Sequence, residues 1–116
     1  MKRDFGTRRI TLVLAPVDMR FGYAALSRFA QERLFLDPDG GTDVVVFVGR
    51  HRKTAKVIWA DENGGWLLYR RLQQKKFARF ITSLESQTSM NFTVEEVLNF
   101  MDGGEKIINI IKVDYE

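Results

Sequence analysis

The sequence predicts an α+β fold: an antiparallel or mixed sheet of about five strands with two helices packed on it. Three observations predict it. The run Asp43 to Gly49 (DVVVFVG) is apolar without alternation and carries four Val, so it reads as a strand covered on both faces. Ala55 to Ala60 (AKVIWA) and Trp66 to Leu72 (WLLYRRL) are aliphatic and aromatic runs that suit a pleated, half-buried surface. Between them lies Asp61-Glu62-Asn63-Gly64-Gly65, and Asn-Gly is favoured where a tight hairpin needs positive φ twice. Finally, Gly22 to Phe35 has helical periodicity, with Tyr23, Leu26, Phe29, Ala30 and Leu34 on one face and Arg28, Gln31 and Glu32 on the other.

The remaining elements follow in order. Ile10 to Ala15 reads as a first strand ending at Pro16. Asp37-Pro38-Asp39-Gly40-Gly41 is a turn. The strands from Asp43 to Leu72 form a three-strand meander, with Arg50-His51-Arg52-Lys53-Thr54 as the first link. Phe77 to Ile81 is a candidate further strand. Thr93-Val94-Glu95-Glu96 fits a capping box, in which a hydroxyl and a carboxylate three residues on satisfy each other's backbone N–H groups. Val94, Val97, Leu98 and Met101 then make an apolar helical stripe that Gly103 is expected to stop. Lys106 to Tyr115 reads as a last strand.

The length of 116 residues fits a single domain over 1–116, large enough to bury a core without staples. A hydrophobic content of 45% argues against disorder. There is no cysteine, which excludes a disulfide framework and a thiolate metal site and suits a reducing compartment. No apolar run is long enough to span a membrane, and the apolar stretch after Arg9 is too short for a signal peptide, so a cytoplasmic protein with no membrane contact is expected.

Net charge is only +3, but residues 50–79 carry nine Lys and Arg against two Asp and Glu, and residues 80–116 carry two against seven. That asymmetry says more about partners than the total does. Meander geometry sharpens it. The chain reverses at Asn63-Gly64, so Arg70, Arg71, Lys75 and Lys76 should return towards Arg50, Arg52, Lys53 and Lys56 and form one patch, with Tyr69 beside it. Such a patch suits nucleic-acid phosphate, with binding that weakens steeply with salt. The plainer reading is a solvated rim that blunts exposed sheet edges.

Catalytic chemistry has little support in the residues. Metal-dependent chemistry on a nucleic-acid strand needs about three carboxylates converging on divalent metals, and the candidates are Asp18, Asp37, Asp39, Asp43 and Asp61. Asp37, Asp39 and Asp61 lie in turns, where Asp is favoured for backbone hydrogen bonding, and Asp18 is placed to cap the helix or pair with Arg20. His51 has no orienting carboxylate nearby in sequence and reads as an exposed loop residue or a phosphate contact. The glycine pairs are turn pairs, and no phosphate loop or nucleophile motif is present. Trp59 and Trp66 flank one turn, as cross-strand packing partners do. No cofactor is expected.

Several of these residues also carry a resemblance. Pro16-Val17-Asp18-Met19-Arg20, Gly22-Tyr23 and Leu36-Asp37-Pro38 resemble the opening signature of the TnpB accessory proteins of insertion sequence 66 elements, which looks like P-T-D-M-R-K-G-F followed by a helix and L-D-P. The hairpin is similar to the family's K-L-L-W-W-D-G-D-G-F-W-L-Y-Y-K-R-L-E-x-G-R-F, and Lys56, Trp59, Asp61, Gly64, Trp66, Leu67, Tyr69, Arg71, Leu72 and Phe77 match in register without a gap. The resemblance covers about residues 8–104. Departures include Val17 for Thr, Phe21 for a basic residue, Ala60 for Trp, Gly65 for an aromatic, Gln73 for Glu and Lys75 for Gly.

The resemblance implies a bacterial mobile-element protein that assists transposition while a separate transposase carries the strand chemistry. Three hypotheses follow. In the first, Arg50, Arg52, Lys53, Lys56, Arg70, Arg71, Lys75 and Lys76 contact DNA backbone. In the second, the chain is an interaction module that docks on the transposase or another accessory protein, or pairs as a homodimer, through an edge strand such as Lys106–Tyr115. The third, a small metal-dependent nuclease, would need Asp18 and Asp61 as metal ligands.

Overall fold

A computed structural model of the chain describes residues 6–13, 17–74, 76–77, 89–92 and 94–102. Strand β1 (Arg9–Val13) leads to helix α1 (Tyr23–Leu34), followed by strands β2 (Asp43–Val48), β3 (Thr54–Asp61), β4 (Gly64–Arg71) and β5 (Ser89–Phe92), and then helix α2 (Val94–Met101). The five strands form one mixed sheet in the order β4-β3-β2-β1-β5. β1 and β2 are parallel, with Arg9 opposite Asp43, because α1 provides the crossover that a parallel pair requires. The other pairings are antiparallel, and β2, β3 and β4 make the expected meander.

The apolar run of β2 is explained by its place between two layers. Val44 and Val46 face a cluster with Ile10, Leu12, Val57 and the α2 residues Val97, Phe100 and Met101. Val45 and Phe47 face the opposite cluster, with Val13, Ile58 and the α1 residues Leu26 and Ala30. The two helices therefore cover opposite faces of the sheet, and β2 is buried on both. Helix α1 presents the stripe its periodicity predicts; it starts at Gly22 without a side-chain cap and ends at Phe35 in the left-handed region, φ 57°.

One polar cluster ties the sheet to the turn after α1. Asp43 is fully buried and accepts hydrogen bonds from Arg9 Nε at 2.7 Å, Arg9 Nη2 at 3.2 Å and the Asp37 backbone N–H at 2.7 Å. Asp37 in turn accepts from the Gly40 N–H at 2.9 Å, and Asp39 accepts from the Tyr23 hydroxyl at 2.7 Å and Gln31 Nε2 at 3.1 Å. Burial, and then the bond to Asp39, push the Tyr23 phenol up, while the Tyr23 bond holds the Asp39 carboxyl down. The Tyr23 ring lies on Gly65, where an added Cβ would meet Cζ at 2.5 Å.

The hairpin corrects the expected Asn63-Gly64 turn. Asp61 pairs with Gly64, so Glu62 and Asn63 are the turn residues and β4 begins at Gly64 rather than Trp66. Gly64 has φ 144°, and Asn63 is not at positive φ. The Asp61 carboxylate is the reason: it accepts from the Asn63 N–H and from Trp66 Nε1, each at 2.8 Å, closing the turn through a side chain. Those bonds, from Trp66 first, hold the Asp61 carboxyl below its usual range. Trp59 and Trp66 stack across the strands at 6.0 Å and 13°, as cross-strand partners.

Some expectations lie outside the described residues: the last two residues of the first strand, 14–15, with Pro16 that ends it, the strand continuing from Phe77 through 78–81, Thr93 of the capping box, Gly103, and the strand Lys106–Tyr115. Among the described residues, no helix is long and apolar enough to cross a membrane, and no group of three His, Asp or Glu could hold a metal ion.

Candidate nucleic-acid interface

The meander brings the basic segments to one end of the sheet. Thr54 at the start of β3 pairs with Arg71 at the end of β4, so the 50–53 loop and the exit from β4 are neighbours. Backbone bonds fix the junction. The Leu72 N–H donates to the Lys53 carbonyl at 2.8 Å, the Phe77 N–H to the Arg52 carbonyl at 2.6 Å, and the Arg52 N–H to the Gly49 carbonyl at 3.0 Å. Phe77 is fully buried, stacked on Phe100 at 5.1 Å, and Leu72 is buried in the same cluster. These two apolar anchors hold the chain at Leu72 and Phe77 against the 52–53 backbone.

The result is an open cleft of about 840 Å³. Arg50, His51, Lys53, Arg71 and Lys76 line one part of it; Val17, Asp18, Met19 and Arg20, from the segment before α1, line the rest. Among the described residues, Arg50, Lys53, Arg71 and Lys76 have no ion-pair partner. Gly49 allows the close approach of the two parts, since an added Cβ would clash with Thr54 Oγ1 and sit 2.8 Å from Met19 Cγ.

The other expected cations are placed differently. Lys56 turns inward, donating from Nζ to the Met19 carbonyl at 2.7 Å and the Phe21 carbonyl at 2.8 Å, with its ammonium 5.7 Å from the centre of the Tyr69 ring. Arg52 takes a left-handed backbone, φ 61°, and its Nη1 donates to the Phe77 carbonyl at 3.1 Å. Arg70 pairs with Ala55 on the face opposite Arg71, and its Nη2 lies 3.9 Å from Asp102 of the residue following α2. Lys75 lies outside the described residues.

Arg20 and Asp18 belong to the cleft, and charge counting over residues 50–79 could not find them. Asp18 accepts from the Arg20 backbone N–H at 2.9 Å, from its Nε at 3.0 and 3.1 Å and from its Nη2 at 2.6 Å. Those bonds, side chain first, hold the Asp18 carboxyl down at about 2 and push the Arg20 guanidinium up. Of the two roles open to Asp18, cap or partner of Arg20, the structure shows the second. The one available signal was the D-M-R triplet itself, in which carboxylate and guanidinium are two residues apart.

Comparison with known proteins gives these features a context. Residues 8–107 match the family described as IS66 Orf2-like protein. The chain is similar to the uncharacterised protein y4hO of Sinorhizobium fredii, with 38% identity over 69 residues, covering 60% of this chain and 59% of that protein. The match therefore spans less than two thirds of that relative's length. No solved structure matches the chain significantly.

Proposed function

The chain belongs to the IS66 Orf2-like family, and on that premise we propose that it is a cytoplasmic accessory protein of insertion-sequence transposition that contacts DNA phosphate through the basic cleft. A single observation carries the reading. Arg50, Lys53, Arg71 and Lys76, from two segments, converge on one concavity that also holds Arg20. Cations gathered this way, four of them without an ion-pair partner among the described residues, displace condensed counterions from a phosphate backbone, which makes affinity fall with salt. Strand chemistry belongs to the transposase in this reading, and the accessory chain positions or holds the element's DNA.

The test is binding of the chain to a labelled duplex carrying an element end, against a scrambled duplex, at two salt concentrations. Salt-dependent binding to both, weakened by Arg50→Glu and Arg71→Glu, supports backbone contact. Preference for the element end adds sequence or shape reading. No binding at low salt overturns the reading.

A second reading is favoured by β4, which ends the described sheet on its side and leaves Trp66 44% and Tyr69 48% exposed. An edge strand of this kind can pair with a strand of the transposase or of another accessory protein. Complex formation that persists at high salt and in Arg71→Glu supports it.

A further inference from the structure

We propose that the cleft takes an unpaired nucleotide of a DNA strand, such as a frayed or nicked end, rather than the flank of an intact duplex; this rests on the phosphate-contact reading and narrows it. Three features point the same way. The first is shape. Contacts that position a protein on a duplex reach out to a convex phosphate ridge. The open cleft is concave instead, and its volume of about 840 Å³ is within the size range of small-ligand sites, roughly 300–1,000 Å³.

The second is the character of the walls. Val17 and Met19 put apolar surface beside the cations, and a phosphate ridge has no use for it. An unpaired strand does, because sites for single strands combine a cationic track with surfaces that take the faces of bases. Tyr69 does not line the cleft, but it lies on the same sheet face as Arg71, two residues before it, with a half-exposed ring whose centre is 5.7 Å from the Lys56 ammonium.

The third is Asp18. A carboxylate on the wall of a basic cleft repels phosphate from its own corner, so the phosphate is directed to the Arg50 and Arg71 side. Its two oxygens are held by four contacts from Arg20, but the side chain stays about a third exposed, so an incoming donor can share or displace one of them. The imino N–H of a base and the amino hydrogen that points at its partner are such donors, and these are free only when the base is unpaired, whereas the second amino hydrogen is open in a groove of the duplex too. Asp18 and Met19 then take the base, and the cations take its phosphate.

The experiment is fluorescence anisotropy of the full chain at low salt with two labelled duplexes of one sequence, one blunt and one with a short single-stranded overhang. A deoxynucleoside 5′-monophosphate serves as competitor. The overhang is expected to bind roughly tenfold more tightly, the scale of one added base contact, with Asp18→Asn bringing the ratio below about threefold and Lys53→Glu weakening both duplexes. Both substituted side chains lie on the surface, and circular dichroism confirms that the variants fold. Equal binding to the two duplexes overturns the unpaired-nucleotide proposal and leaves phosphate contact standing. Absence of binding to either overturns both. Competition by the mononucleotide at the affinity of the overhang assigns the cleft to a free nucleotide and overturns the strand-end proposal.

Discussion

Lys56 reaches from β3 to the carbonyl of Met19 at 2.7 Å, and so ties the sheet to the segment that forms one wall of the cleft. Its second bond, to the Phe21 carbonyl, completes the clamp. This lysine is therefore positioned to shape the cleft, while Arg71 is positioned to face a ligand.

The two roles predict different outcomes. Lys56→Met should cost about 1–3 kcal/mol of stability, the scale of hydrogen bonds to a charged group, and loosen residues 17–22 in NMR relaxation. Its effect on the salt dependence of DNA binding should be small. Arg71→Ala should leave the denaturation midpoint nearly unchanged and lower the slope of log affinity against log salt by about one. Equal slopes for the two variants would contradict this division.

The Asp18–Arg20 pair gives a pH prediction. The Asp18 carboxyl lies at about 2 in the folded chain because Arg20 donates to it. A carboxyl lowered by folding stabilises the fold at pH above its ordinary value, about 4, and that contribution is lost as pH falls towards 2. The Arg20 side chain is exposed and that of Asp18 about a third exposed, so water screens the pair, the effect on stability should be slight and the local titration is the sensitive readout. In Arg20→Ala, NMR should show Asp18 titrating close to its ordinary value.

Asp43 should be the most sensitive carboxylate of the fold. It is buried and holds Arg9 of β1 and the Asp37 N–H of the turn. Asp43→Ala leaves that N–H without its acceptor and should cost about 2–4 kcal/mol in chemical denaturation. The Arg9 side chain is half exposed and can return to water, so Arg9→Ala should cost distinctly less. A cycle with both substitutions should show coupling of about 1 kcal/mol or more.

Phe35 predicts a gain. It ends α1 at φ 57° and is 85% exposed, with its N–H bonded to the Ala30 carbonyl. A bulky residue in the left-handed region carries steric strain that glycine lacks. Phe35→Gly should raise stability by about 1 kcal/mol, read as an increase in melting temperature. A loss would mean that the ring makes a contact worth more than the strain.

How far the sequence went can be read from individual residues. The valine run of β2 announced a strand buried on both faces because side chains alternate sides and all of them were apolar. The meander followed from local signals too, since consecutive strands joined by short links pair with each other. From it came the meeting of the 50–53 loop with Arg71 and Lys76, which the structure places together. The turn was found in the right place but with the wrong residues, because the Asp61 side chain competes with the backbone preference of Asn-Gly.

What the sequence determined by itself was thus the family, the order and nature of most elements, and the end of the sheet where charge gathers. Periodicity, turn chemistry and a nearest-neighbour meander suffice for those. Only the tertiary structure decided that Arg20 and Asp18 join the cleft, that Lys56 and Arg52 turn to backbone carbonyls, and that Arg70 faces away from Arg71. These depend on the parallel β1–β2 pairing and on which face each helix covers. Both are contacts between distant parts of the chain, fixed by burial of the whole core and carried by no local pattern.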